Sequence, residues 1–137
     1  MQTIPAAFLA LLLGMPMMAN SDVIKPQPFP MIGSWGGDRV NAHFNTTGAV
    51  FEYDCAKGLI NQPVTRDSAG GFKVRGTHEN YRPGPDLVDQ APSLKSAAYQ
   101  GVVVDTVLTL TVRIDGDPVL HTYRLEKNRN IKLARCL

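Results

Sequence analysis

From residue 33 onward the chain consists of short segments in which apolar and polar residues alternate, separated by turn residues about every ten positions. The clearest segment is Thr106–Ile114. Its apolar face carries Leu108, Leu110, Val112 and Ile114. Alternation of this kind, with many β-branched residues, is what a half-buried strand requires. Because no sustained apolar period of 3.6 residues follows residue 22, the sequence predicts an all-β fold.

The alternation predicts eight strands. They are Val40–Phe44, Ala49–Cys55, Leu59–Thr65, Phe72–Asn80, Ala98–Val104, Val107–Ile114, Val119–Glu126 and Ile131–Cys136. Short turns between consecutive strands favour an antiparallel meander, and eight such strands with one apolar face can close into a barrel that leaves no free edge. We therefore predict a single small up-and-down barrel, with a two-sheet β-sandwich as the alternative.

The N-terminus has the layout of a secretory signal peptide. Residues 1–20 contain no Asp, Glu, Lys or Arg, and the apolar run 6–13 is shorter than the roughly 20 residues of a membrane-spanning helix. We expect residues 1–19 to be a signal peptide, the protein to be periplasmic or secreted, and no transmembrane segment to remain after its removal. The alternative is a buried N-terminal helix. Alternating prolines then predict an extended arm over 20–32, ahead of a barrel domain at 33–137.

Two cysteines are present, Cys55 and the penultimate residue Cys136. In an oxidising compartment they have one possible intramolecular pairing, so export predicts a disulfide between them. Cys55 shares the apolar parity of its predicted strand, whereas Cys136 shares the polar parity of its own. The pairing therefore predicts a bulge near Arg135. The alternative is two unpaired thiols.

Candidate binding residues follow from strand parity. His78 and His121 share the apolar parity of their strands, as do Tyr99 and Tyr123, so all four are expected to face the barrel interior. There the histidines could line a pocket at the barrel mouth near Trp35. The alternative is that each is a hydrogen-bonded core histidine.

The connection Arg82–Ser96 contains three prolines and no clean alternation. Compact domains rarely carry structureless loops of this length unless the loop covers or binds something. Arg82, Asp86 and Asp89 are therefore candidate binding residues at the pocket rim. The alternative is a tolerated surface insertion.

Composition and motifs argue against several function classes. A formal net charge of +2 is too small to favour nucleic-acid binding. The three histidines are too far apart in sequence to resemble a metal-ligand pair, and no hydrolase, phosphate-loop or zinc-protease motif occurs. We therefore predict no metal, no cofactor and no enzymatic activity. A hydrolase would need a fold that brings a histidine beside a carboxylate or a free thiol.

Three resemblances add to these predictions. Gly33-Ser34-Trp35 resembles the Gly-x-Trp motif of lipocalin-like barrels, in which an arginine of the last strand packs across the tryptophan. This resemblance implies that Arg135 packs on Trp35 and adds Arg135 to the candidate pocket. More broadly, residues 33–137 resemble small exported bacterial proteins without assigned function. They share the runs GSWGG, EYDCAKG, GGFKVRGTH and YQGVVVDTVLTLTV and a terminal RCL.

Residues 53–58, with a cysteine at the far end of the chain, are similar to the periplasmic C-type lysozyme inhibitors, which are small disulfide-clipped barrels. Those carry a Ser-Gly-containing inhibitory loop before a tyrosine, and Ser96-Ala97-Ala98-Tyr99 is the corresponding stretch here, without the glycine. The sequence as a whole predicts a monomeric, non-enzymatic binding or interaction module of the bacterial envelope. Its partner would be a small apolar ligand or an envelope macromolecule. The alternatives are a periplasmic enzyme inhibitor and, third, a hydrolase.

Overall fold

The computed structural model describes residues 29–81 and 93–134, together with the isolated positions 3 and 14. Ten strands lie in these ranges. They are β1 Phe29–Pro30, β2 Gly33–Gly37, β3 Val40–Asn45, β4 Gly48–Tyr53, β5 Ala56–Ile60, β6 Thr65–Arg66, β7 Gly71–Asn80, β8 Leu94–Val104, β9 Val107–Ile114 and β10 Leu120–Lys127. The described part of the chain contains no helix long and apolar enough to cross a membrane.

Eight of the strands form a closed antiparallel barrel in the order β10-β2-β3-β4-β5-β7-β8-β9. The remaining strands, β1 and β6, pair with each other as a small two-stranded sheet. This architecture confirms the predicted all-β barrel and excludes the sandwich. It also shows that the end of the predicted extended arm packs on the barrel, because Met31 is buried and its N–H donates to the carbonyl oxygen of Val64 at 2.8 Å.

The strand count of eight was right, but its members differ at both ends of the chain. The first barrel strand is β2, which the alternation did not predict, because a Gly-Ser-Trp-Gly-Gly segment lacks the β-branched residues typical of strands. The predicted last strand, Ile131–Cys136, is wrong over 131–134, which belong to no strand. Closure is instead made by β10 against β2, where Glu126 is opposite Gly36 and Lys127 is opposite Trp35.

Smaller boundary differences affect the connections. β8 already begins at Leu94, so the predicted Arg82–Ser96 loop ends before Ser96, which is paired with Thr77 of β7. Of the strand predicted at Leu59–Thr65, only Leu59 and Ile60 lie in β5, which begins at Ala56, and Thr65 lies in β6. The parity predicted for His78 and His121 is confirmed, because both lie on the face of their strands that carries the buried core residues.

Residues 128–134, here called the C-terminal strap, cross the outer face of β2 and β3 and reach the turn that follows β4. Asn128 donates its N–H to the carbonyl oxygen of Ser34 in β2 at 2.7 Å. The buried side chain of Asn41 exchanges two hydrogen bonds with the backbone of Ile131, at 2.7 and 2.8 Å, and Ala134 donates its N–H to Asp54 Oδ1 at 2.6 Å. One backbone bond to β2 therefore starts the strap, and the side chains of Asn41 and Asp54 hold the rest of it in place of a strand ladder.

The strap also explains a glycine in β2. A Cβ at Gly36 would overlap the carbonyl oxygen of Arg129 in the strap. A side chain at this outward position would therefore push the strap away from the sheet. Gly36, one of the glycines that give β2 no strand-like pattern, is therefore the residue that allows the strap to lie on it.

Aromatic side chains fill the barrel interior. Phe51 stacks on Tyr99 with ring centroids 4.6 Å apart and planes 6° apart. Phe44 makes edge-on contacts with Trp35 and Phe51 at 5.4 and 5.7 Å. Inward-facing glycines provide the space, since a Cβ at Gly58 would overlap the Tyr99 hydroxyl group. The centre of the barrel is therefore a packed core and not a ligand cavity.

Gly101 provides a test of this packing. A Cβ there would overlap the ring of Phe72 and lie 2.9 Å from Leu108 Cδ1. Because both neighbours are packed in the core, we expect Gly101→Ala to lower the free energy of unfolding by about 1–3 kcal/mol. Urea denaturation of the purified protein measures the change. Gly71→Ala is the matched control, because its Cβ would meet Asp67 Oδ2 at an ordinary 3.4 Å. Equal unfolding midpoints for the two variants would contradict the packing.

Candidate functional site

One end of the barrel holds a cavity of about 370 Å³, here called the mouth pocket. It lies where β4 and β7 end, where β10 begins and beside the β2–β3 turn. Its lining comprises Asp38, Arg39, Tyr53, Asp54, Cys55, Ala56, His78, Asn80, Ile114, Asp117, His121 and Tyr123. A second depression of about 530 Å³ is lined by residues between Thr65 and Val102, and it contains none of the candidate site residues predicted from the sequence. The mouth pocket is therefore the candidate site.

An aromatic wall forms one side of the mouth pocket. The ring of Tyr53 lies 5.2 Å from that of His78 and 5.7 Å from that of Tyr123, between centroids. His121 stacks on Tyr123 at 6.5 Å with planes 13° apart. Alternation along β4, β7 and β10 turns all four side chains inward, so they continue the core toward the opening.

His78 is buried, with 6% of its surface exposed. Its Nε2 lies 3.1 Å from Asn80 Oδ1, and since that oxygen is an acceptor, the ring proton sits on Nε2. The Nδ1 atom is then an acceptor, and it is buried with no hydrogen-bond partner in the described structure. Burial lowers the pKa of His78, against an opposing effect of the Asn80 hydrogen bond, so the ring is held neutral.

Tyr53 contributes a second buried polar atom. Its hydroxyl oxygen has no hydrogen-bond partner among the described residues. Burial raises the pKa of Tyr53, and the neighbouring Tyr99 and Tyr123 add to the effect. The phenol therefore stays protonated and can both donate and accept a hydrogen bond.

Asp117 and His121 form a pair at the pocket rim, with Asp117 Oδ2 3.0 Å from His121 Nε2. The backbone N–H of Val119 donates to the other carboxylate oxygen at 2.9 Å. The hydrogen bond from His121, followed by that from Val119, lowers the pKa of Asp117. The carboxylate is therefore charged at neutral pH.

The β2–β3 turn supplies the opposite rim. Asp38 and Arg39 both have positive φ, 48° and 66°, which is the geometry of a two-residue type I′ hairpin. Arg39 makes two parallel hydrogen bonds to Asp54, at 2.6 and 2.8 Å, and this contact lowers the pKa of Asp54. Asp38 accepts a hydrogen bond at 2.7 Å from the N–H of Arg124.

The structure places the predicted site residues in three groups. His78, His121 and Tyr123 meet in the mouth pocket. Trp35 and Tyr99 lie in the packed core, with 2% and 0% of their surface exposed. The other predicted residues, Arg82, Asp86, Asp89, Arg135 and Cys136, lie outside the described part of the chain, as does the predicted bulge near Arg135.

Trp35 and Cys55 bear on the Gly-x-Trp resemblance and on the predicted disulfide. The cation that the described structure brings to Trp35 is Lys127, whose Nζ lies 6.0 Å from the ring centroid. Cys55 lines the mouth pocket, and it is not a free cysteine.

Several members of the mouth pocket were not among the site residues predicted from the sequence. Tyr53 shares the parity of Phe51, so a signal for it was present. Asp38, Arg39 and Asp117 lie in turns, and they reach the pocket only because the barrel closes β10 against β2. Within residues 29–81 and 93–134, no three His, Cys, Asp or Glu side chains are grouped so that they could hold a metal ion.

No protein-family model matches the chain, and no curated protein and no solved structure matches it. The resemblances to lipocalin-like barrels, to small exported proteins and to lysozyme inhibitors therefore stay predictions. The fold defines a small closed antiparallel barrel, and function has to be inferred from the mouth pocket itself.

His78 makes the stability of the protein pH-dependent. Its pKa is lowered in the folded state, so below its unfolded value of about 6.5 the unfolded chain binds more protons. The free energy of unfolding should therefore fall as the pH drops below 6.5 and level off once the pH is below the folded pKa. The slope from this one group can reach about 1.4 kcal/mol per pH unit.

Urea denaturation at pH 7.5 and 5.5 measures this loss, and His78→Gln should reduce it. An NMR titration of the His78 ring in the wild type should give a midpoint below 6.5. An unchanged pH dependence in His78→Gln, or a midpoint at or above 6.5, would contradict the assignment.

Proposed function

We propose that the protein is an exported, non-enzymatic binding module of the bacterial envelope, and that it holds a small ligand in the mouth pocket. One observation carries the proposal. His78 Nδ1 and the Tyr53 hydroxyl are buried without partners in a pocket lined by aromatic rings. Buried polar atoms are normally hydrogen-bonded, and each unpartnered one costs about 1–3 kcal/mol. A ligand whose binding turns these side chains toward the pocket supplies the missing partners and recovers this free energy.

Two further observations support a binding role. The rest of the barrel interior is packed with side chains, so a ligand inside the barrel has to be bound by the residues of the mouth pocket. Large apolar side chains are exposed at the same barrel end, namely Tyr81, Leu94, Val119 and Leu120. An apolar rim of this kind is typical of surfaces that contact a ligand or a partner. The export-like N-terminus and the resemblance to small exported bacterial proteins support the location.

The enzyme-inhibitor alternative loses the stretch that corresponded to the inhibitory loop. Ser96-Ala97-Ala98-Tyr99 lies inside β8, and the side chain of Tyr99 is fully buried. These residues are therefore not presented on a loop to a target enzyme. An inhibitor would have to use another surface of the barrel.

The hydrolase alternative gains one observation, because Asp117 holds His121 in a cleft, as the aspartate of a catalytic triad holds its histidine. A nucleophile is the missing part. The described lining contains no serine or threonine, and Cys55 is not free. The binding role therefore accounts for more of the pocket than a hydrolytic role does.

Binding at the mouth pocket can be tested with 2-phenylethanol as a neutral aromatic probe. We expect binding in the millimolar range, with shifts in ¹H–¹⁵N spectra that cluster at Tyr53, His78 and Tyr123. Tyr123→Ser should weaken binding about tenfold, because it removes the ring that joins Tyr53 to His121. Phe29→Ser removes an exposed aromatic ring on the two-stranded sheet and serves as the control. Shifts scattered over the outer wall, or equal effects of the two substitutions, would count against the pocket.

We also infer that Cys55 is paired with Cys136. Asp54, next to Cys55, accepts the N–H of Ala134 at 2.6 Å, and Cys136 is two residues beyond Ala134. At about 3.3 Å per residue, two residues of chain reach the separation that a disulfide requires. Because 131–134 form a strap and not a strand, the parity mismatch from which a bulge was predicted no longer applies to them.

Mass spectrometry of the intact protein tests the pairing. Under denaturing, non-reducing conditions neither cysteine should react with iodoacetamide, and both should react after reduction. The double variant Cys55→Ser, Cys136→Ser should lose up to about 4.5 kcal/mol of the free energy of unfolding, because the bond closes most of the chain into one loop. Two alkylated cysteines in the unreduced protein would rule the bond out.

A further inference from the structure

The unpartnered and charged atoms of the mouth pocket are mostly hydrogen-bond acceptors. The neutral ring of His78 gives its one proton to Asn80, so Nδ1 offers only a lone pair. The carboxylate of Asp117 has one donor on each oxygen and room for more. A ligand that fits these atoms has to carry hydrogen-bond donors.

The charge of the pocket lining is negative. Asp38, Asp54 and Asp117 contribute carboxylates, and Arg39 is the one arginine or lysine among the described lining residues. Arg39 is already neutralised by its two hydrogen bonds to Asp54. Lys95 lies outside the lining, although its charge reaches both His78 and Asp117, and it offsets only one of the two remaining carboxylates. The lining therefore attracts a cation and repels an anion.

The aromatic wall favours the same kind of ligand. The faces of Tyr53 and Tyr123 present the negative side of a π-system, which attracts an ammonium group within about 6 Å of the ring centre. The same rings pack against an apolar body. At about 370 Å³ the pocket has room for a ring with a short side chain.

From these observations we propose that the mouth pocket selects a small organic amine in its cationic form. The apolar or aromatic body of the ligand packs on Tyr53 and Tyr123, and its ammonium group donates a hydrogen bond to the partly exposed carboxylate of Asp117. A rotation of the buried His78 ring would bring Nδ1 to the same ammonium group as a second acceptor. This inference rests on the proposed binding function and adds the chemical class of the ligand. A neutral polyol could satisfy the same acceptors, but it would gain nothing from the charge of the lining.

Three probes that share one aromatic body separate these possibilities. They are 2-phenylethylamine, which is cationic at pH 7.5, neutral 2-phenylethanol and anionic 3-phenylpropionate. Titrations of the mature protein at low salt, followed by NMR, should give at least tenfold tighter binding of the amine than of the alcohol, and the weakest binding for the acid. Raising the salt concentration should reduce the preference for the amine, because the rim charges are solvent-exposed.

Asp117→Asn tests the acceptor. The change removes the negative charge and keeps the shape of the side chain. The amine should therefore lose most of its higher affinity relative to the alcohol. The alcohol should still bind, which shows that the pocket is intact. Asp115→Asn is the matched control, because Asp115 lies two residues away, faces Arg75 and is not part of the lining. It should leave the preference unchanged.

The outcomes of these titrations separate the proposed binding function from the inferred class of ligand. If none of the three probes binds at the pocket, the proposed binding function fails. If the alcohol or the acid binds as tightly as the amine, the binding function stands and the inference of a cationic ligand is overturned. An amine preference that survives both high salt and Asp117→Asn would likewise overturn it.

Discussion

The stacking of Phe51 on Tyr99 inside a closed eight-stranded barrel determines where a ligand can enter the barrel interior. A barrel of eight strands is only wide enough for side chains to fill its interior or to hold one small ligand. Here two parallel rings 4.6 Å apart occupy the middle, and Gly58 leaves room for the Tyr99 hydroxyl group, which donates to Thr77 at 2.5 Å. Because the centre is occupied, a ligand inside the barrel wall has to bind at one of the two ends, and the mouth pocket is the cavity at an end that the predicted residues His78, His121 and Tyr123 line.

The mouth pocket is the polar continuation of the same inward face. Along β7 the inward positions run from Phe72 near one end to His78 at the other, and along β10 they run from Leu125 to His121. Both strands keep the same geometry along their length, but their inward residues change from apolar to polar toward the mouth pocket. Polar atoms therefore reach a place that is partly enclosed by the barrel wall, where hydrogen bonds and charges are less screened than at the surface.

Alternation predicted most of the barrel from the sequence, because inward and outward positions of a half-buried strand differ in residue type. It failed at β2, whose glycines carry no such signal, and at the C-terminal strap, whose residues alternate without pairing as a strand. The two failures have one physical origin. The strap lies where a side chain at Gly36 would be, and at Ile131 its backbone bonds to the side chain of Asn41 instead of to the backbone of a neighbouring strand.

Strand alternation also predicted part of the candidate site. His78, His121 and Tyr123 lie on strands, so parity alone turned them inward. Asp117 and Arg39 lie in turns, and nothing local in the sequence shows that barrel closure brings the two turns to the same rim. The strands thus supply the aromatic wall, and the turns supply most of the charge. Since turn residues contribute little to the packed core, the charge of the rim can change without loss of the barrel. The aromatic wall continues the core, so a substitution in the wall also affects the packing of the core.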